Sequence, residues 1–134
     1  MNVNLTIPNY GKEVSNMLDD SILSTIKNPL QLSPDEDDGF DSEIIIAIND
    51  ALSDLIEIGI GPEDGFMING YESKWSDFIK VGKILPYVIT YVSSSCKIMI
   101  DPPTNQSLLK ALENSMSKAK FYLITHVELN MLKR

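Results

Sequence analysis

Residues 40–66 read Phe40-Asp-Ser-Glu-Ile-Ile-Ile-Ala-Ile-Asn-Asp-Ala-Leu-Ser-Asp-Leu-Ile-Glu-Ile-Gly-Ile-Gly-Pro-Glu-Asp-Gly-Phe66. Ile44, Ile48, Ala51, Leu52, Leu55 and Ile58 recur at the three- and four-residue spacing of one helix face. Ile45, Ile46 and Ile56 widen that face, which predicts a helix wrapped by neighbours on more than one side. Asp41 has N-cap chemistry, because its carboxylate can accept from the free amides of a first turn. Phe40 and Ile45 stand at the staple positions around it. Gly59 suits the left-handed residue that ends a helix, and Pro62 bars continuation. This helix is expected to hold the rest of the chain in register.

Upstream, Ser33 to Gly39 is a loop with acids at 35–38. A calcium loop counted from Asp35 fails on register. Its sixth position is Phe40 where glycine is needed, and its twelfth is Ile46 where glutamate is needed. A solvated acidic loop is the better reading. Asp19 or Asp20 opens a short helix with Ile22, Leu23 and Ile26 on its apolar side, ending before Pro29. Residues 1–17 read as a flexible arm, in which Ile7 and Tyr10 are the available anchors.

Downstream, the glycines at 59 and 61 follow a helix instead of a strand, and Pro62, Glu63 and Asp64 are hostile to phosphate, which rejects a nucleotide loop. Asn69-Gly70 is a hairpin turn signal between Phe66, Ile68 and Tyr71. A second long helix is expected from Ile84 to Ile100, with Pro86 in its first turn. Its stripe is Leu85, Val88, Ile89, Val92, Cys96 and Met99, which makes Cys96 a small buried hydrophobe. Asp101-Pro102-Pro103 stops it, and Thr104 caps a last helix bearing Leu108, Leu109, Ala111, Leu112, Met116, Ala119, Tyr122 and Leu123. His126 reads as exposed. The fold class is therefore all-α: a compact domain of three to four helices over residues 18–125, with a small β-hairpin or extended loop around residues 66–76. Residues 126–134 read as a flexible tail.

The pattern excludes more chemistry than it offers. No nucleophile has a base beside it, no histidines pair, and no metal-ligand spacing occurs. The expectation is no enzyme, no cofactor and no metal. One cysteine allows no internal disulfide. No secretory signal is visible, and the longest uncharged run, Ile84 to Cys96, is too short to span a bilayer.

The net charge of −8 hides an asymmetry. Residues 1–64 hold 14 acids against 2 lysines, a balance of −12; residues 65–134 hold 5 acids against 9 basic residues, a balance of +4. Charges on solvated faces account for this without function. Unlike poles suited to head-to-tail self-association account for it as well.

The order of motifs resembles a known family. Asp19-Asp20-Ser21-Ile22-Leu23, Phe40-Asp41, Gly59-Ile60-Gly61-Pro62-Glu63-Asp64-Gly65-Phe66, Trp75-Ser76-Asp77-Phe78 and Asp101-Pro102-Pro103 resemble, at these spacings, the small helical head–tail connector proteins of long-tailed bacteriophages. The resemblance implies a non-enzymatic adaptor made in the host bacterial cytoplasm and carried in the virion. Its partners would be copies of itself in a ring, the portal protein, a tail-completion or stopper protein, and DNA passing through the channel without sequence-specific binding; no membrane is involved. Intersubunit contacts are then expected between Asp35, Asp37, Asp38, Asp50, Asp54 and Glu57 on one subunit and Lys110, Lys118 and Lys120 on the next. Trp75 and Phe78 would add apolar contact. The competing reading is a small helical regulatory or immunity-type module that binds one protein partner.

The helix over 41–58 carries its own test. Leu52→Ala or Leu55→Ala should cost about 2–5 kcal/mol, measured by urea unfolding, if both residues face a core.

Overall fold

The computed structural model describes residues 14–28 and 39–133. The expected arm over residues 1–13, the turn at Pro29 and the acids Asp35, Asp37 and Asp38 lie outside the described residues.

Helix α2 (Asp41–Glu57) is the central element. It buries Ile44, Ala47, Ile48, Ala51, Leu52 and Leu55, the face given by the three–four spacing. Ile46 departs from the expectation: it lies on the opposite side of the helix and is 67% exposed. Helix α4 (Leu85–Ile100) packs against α2 and against α5 (Gln106–Leu132), so it forms the middle of the domain. Its threonine, valine and serine content is weak for a helix. Burial of Leu85, Val88, Ile89, Tyr91, Val92, Ser94 and Cys96 supplies what propensity does not. Met99, expected in the stripe, is exposed near the end of the helix. Helix α5 is long but buries only Ala119 and Leu123, and it continues to Leu132 through the segment read as a tail.

Two short helices complete the set, α1 (Ile22–Lys27) and the single turn α3 (Trp75–Phe78). A 3-10 turn at Val14–Asp19 precedes α1 and buries Met17. A second 3-10 turn, Gly82–Ile84, leads into α4.

The helix caps differ from their expected positions. Ser21 caps α1, where Asp19 or Asp20 was expected, and accepts from the Ser24 amide at 3.2 Å. Asn105 caps α5 in place of Thr104, accepting from the amides of Ser107 and Leu108 at 2.8 and 3.2 Å. Asp41 does not cap α2; the helix begins after Phe40, whose side chain makes no cap bond. The Asp41 carboxylate serves a buried cluster instead. The Lys27 ammonium, with no exposed surface, donates to Asp41 Oδ1 at 2.7 Å and to the Tyr71 oxygen at 2.6 Å. The Tyr71 hydroxyl donates to Asp41 Oδ2 at 2.7 Å and closes a triangle.

The segment 65–73 is an extended loop, not a hairpin. Among the described residues there is no strand, and the one isolated bridge joins Ser21 to Lys74. Gly70 lacks the positive φ that a type I′ turn requires. The polar groups of Ile68 are satisfied from α2: Asn49 donates to its carbonyl at 3.0 Å and accepts from its amide at 2.8 Å. One side-chain amide thus does the work of a partner strand. Farther along, the Trp75 indole donates to Thr25 Oγ1 at 3.1 Å, deep in the core.

Glycine has two separate duties in the 59–65 turn. Gly61 has φ +96° and lies under the Phe78 ring, where a Cβ would sit 2.4 Å from a ring carbon. Gly65 has φ +109° but open space around it. Gly61→Ala should therefore lose clearly more than about 2 kcal/mol, while Gly65→Ala should lose only the left-handed penalty of about 1–2 kcal/mol; urea melts of the pair would show the difference.

The Lys27 cluster predicts a pH-dependent contribution. Burial alone would push the ammonium down, but the bonds to Asp41 and Tyr71 outweigh it and hold it above the ordinary lysine range. Burial would likewise raise Asp41, yet Lys27 and Tyr71 hold it below the ordinary carboxylate range. A lowered acid stabilises above its unfolded pKa, and a raised base stabilises below its own. The cluster therefore contributes fully between about pH 4 and pH 10 and loses strength beyond either limit. Lys27→Met, which strands a carboxylate, should cost about 3–5 kcal/mol at pH 7. The gap from wild type should narrow when the melts are repeated at pH 3.

Candidate interaction surfaces

Helix α2 turns a regular stripe outward. Glu43, Ile46, Asp50, Ser53 and Glu57 follow at alternating spacings of three and four, and all are exposed. This face is acidic with one aliphatic residue in it. Asp54 lies beside the stripe and is partly used inside the subunit, where the Tyr91 hydroxyl donates to it at 2.9 Å. Burial, and then this carboxylate, push the Tyr91 phenol well above its ordinary range. The bond ties α2 to α4 at the edge of the acidic face.

Over residues 110–121 helix α5 turns outward a stripe whose charges are lysines, with exposed Glu113 at its flank and exposed Glu128 continuing the face toward the C-terminus. Lys110, Asn114, Ser117, Lys118 and Phe121 are exposed on it, Phe121 to 72%. Among the described residues Lys110, Lys118 and Lys120 form no ion pair, and Lys120 is half-buried at the flank of the helix. Where α5 crosses α4, Tyr122 stacks on Tyr87 with ring centroids 3.7 Å apart and planes 14° from parallel. The stack and the Phe121 ring enclose a shallow apolar hollow, with Lys118 at its edge.

Not every expected contact residue is at the surface. Trp75 is fully buried, and Phe78 is 3% exposed against Gly61 and the Phe66 ring, whose centroid is 5.4 Å away. Their aromatic mass fills the core of the domain. Asp50 and Glu57 are exposed as expected, on α2, and Lys110 and Lys118 on α5. The fold does not bring these acids and lysines together within one subunit.

Ile46 and Phe121 escaped the sequence reading. Ile46 was absorbed into an isoleucine run that was assigned to the core. Phe121 falls outside the apolar period of the last helix, and that misfit was the available signal of an outward aromatic.

The remaining candidate chemistry is quiet. Cys96 is buried on α4, and burial, followed by the Asp50 charge, pushes its thiol up to about 12. It behaves as an apolar filler. His126 is half-buried at the rim of a cleft formed by the 59–62 turn, the 78–84 connection and the end of α5. Its Nε2 lies 3.1 Å from the Asn130 amide nitrogen. Burial, and then Lys83 and Lys133, push the imidazole below its ordinary range. Among the described residues no group of His, Cys, Asp or Glu side chains is placed to hold a metal ion. No described helix is long and apolar enough to cross a membrane.

No curated protein and no solved structure matches the chain. A family model described as phage connector protein matches residues 22–130. The matched span opens on the first residue of α1 and closes in the last turn of α5, so it takes in all five helices. The family is one of structural virion components. A match over this much of the fold establishes that the chain belongs to the phage connector protein family.

Proposed function

We propose that this chain is the repeating subunit of a ring seated between the portal and the tail, extending the channel through which DNA leaves the head. The observation that carries the reading is the opposed charge of two outward stripes, acidic along α2 and lysine-bearing over residues 110–121 of α5. A closed ring needs two unlike, mutually complementary surfaces on each subunit, whereas a twofold dimer needs one self-complementary surface. Family membership supports the connector role and hence the portal and a tail-completion protein as partners. Acids that the intersubunit contact leaves free would face the channel, where they repel phosphate and let the duplex slide. Rim charges steer and register subunits, and apolar contact supplies most of the affinity.

The test is assembly on portal-bearing heads that lack tails. Added protein should bind as a ring beneath the portal, seen by electron microscopy. Lys110→Glu with Lys118→Glu should weaken ring formation, most strongly at low salt. Protein that stays monomeric, or binds as a single copy, would overturn the reading in favour of a simple protein-binding module.

A further inference from the structure

Resting on the ring reading, we infer that neighbouring subunits pack the outer stripe of α2 antiparallel on the outer stripe of α5, with Ile46 seated against Phe121. The α2 stripe and the 110–121 stretch of the α5 stripe each carry one large apolar residue that its own fold does not use: Ile46 is 67% exposed and Phe121 72%. Around Ile46 the charges are acidic, and on the stripe N-terminal to Phe121 they are basic. The apolar hollow over the Tyr87–Tyr122 stack opens beside Phe121 and offers a seat for a branched aliphatic side chain.

The spacing along the two helices fixes the direction. Running from Ile46 toward the C-terminus, the outer residues are Asp50, Ser53 and Glu57. Running from Phe121 toward the N-terminus, they are Lys118 and Ser117, then Asn114, then Lys110. Ser53 and Asn114 stand equally far from their anchors, about 10 Å at the helical rise. Glu57 and Lys110 do so again, at about 16 Å. An antiparallel pair therefore sets Ser53 against Asn114 and Glu57 against Lys110 in one register, with Asp50 against Ser117 and next to Lys118. The parallel arrangement sets Glu43 opposite Lys118 but leaves Asp50 opposite Thr125, Ser53 opposite Glu128 and Glu57 opposite Leu132. The occupant is a second copy because the complementary charges and the matching intervals are both on this chain. The two stripes lie on different helices, each packed on α4, so the contact is heterologous and repeats.

Paired cysteines in the full chain test the register while leaving the anchors and the charges in place. Ser53→Cys with Asn114→Cys, assembled on portal-bearing heads and oxidised, should give a ladder of covalent multimers on a non-reducing gel. Either single variant should remain monomeric, since Cys96 is buried. A ring seen by microscopy without a ladder would overturn the inference and leave the ring reading standing. A ladder from Ser53→Cys with Glu128→Cys instead would overturn the antiparallel direction, and dimers from a single variant would show a twofold contact and overturn the proposal. The absence of any ring would sink both readings. In a second arm, Ile46→Arg and Phe121→Asp should each fold with wild-type circular dichroism yet lose ring formation. Normal rings from both would refute the anchor.

Discussion

An ammonium group without exposed surface sits where three segments meet, and the fold depends on how its charge is met. Lys27 ends α1, Asp41 begins α2, and Tyr71 belongs to the loop before α3. Desolvating a lysine is costly, so its position is tolerable only while the carboxylate and the phenol oxygen both remain in place. The triangle therefore couples the entry of α2 to the position of a loop thirty residues away in sequence. Asn49, two turns further along α2, grips the same loop by the backbone of Ile68. Together the polar clamps position Trp75 and Phe78 over the core without any sheet.

Much of this architecture was legible in the residues, because long amphipathic periods survive tertiary context. The buried face of α2 and most of the α4 stripe follow directly from spacing. The caps were less legible: Asp19, Asp20, Ser21, Thr104 and Asn105 all have capping chemistry, and which one acts depends on where the chain enters. Around Asn69-Gly70 the sequence allowed a hairpin or an extended loop, and the structure takes the loop. Turn chemistry permits a hairpin, but a strand needs a partner, and here a single asparagine from a helix satisfies the extended backbone. Lys27 was invisible as a core residue, since a lysine in the last turn of a helix ordinarily faces water.

The surface was legible in sign but not in its apolar contacts. The difference in charge between the two halves survives folding as two outward stripes, along α2 and over residues 110–121 of α5. The aromatic residues assigned to contact, Trp75 and Phe78, are taken by the interior: the Trp75 indole bonds to Thr25, and glycine at 61 leaves room for the Phe78 ring close to the backbone. Ile46 and Phe121 are the reverse case, apolar residues that hydrophobicity alone sends inward and helix phase sends outward.

Helix α5 has a further consequence in the time domain. Its first ten residues bury no side chain, whereas Ala119 and Leu123 are packed on α4, and Val127 lies against the backbone of Gly59. Opening free energy along one continuous helix must therefore be graded, near zero in the early turns and rising toward the global value past residue 119. Amide hydrogens of the early turns will exchange by local fraying, while those around Leu123 exchange only through larger openings. The start of the helix is thus the part that deforms most cheaply, and the chain can adjust there without disturbing its core.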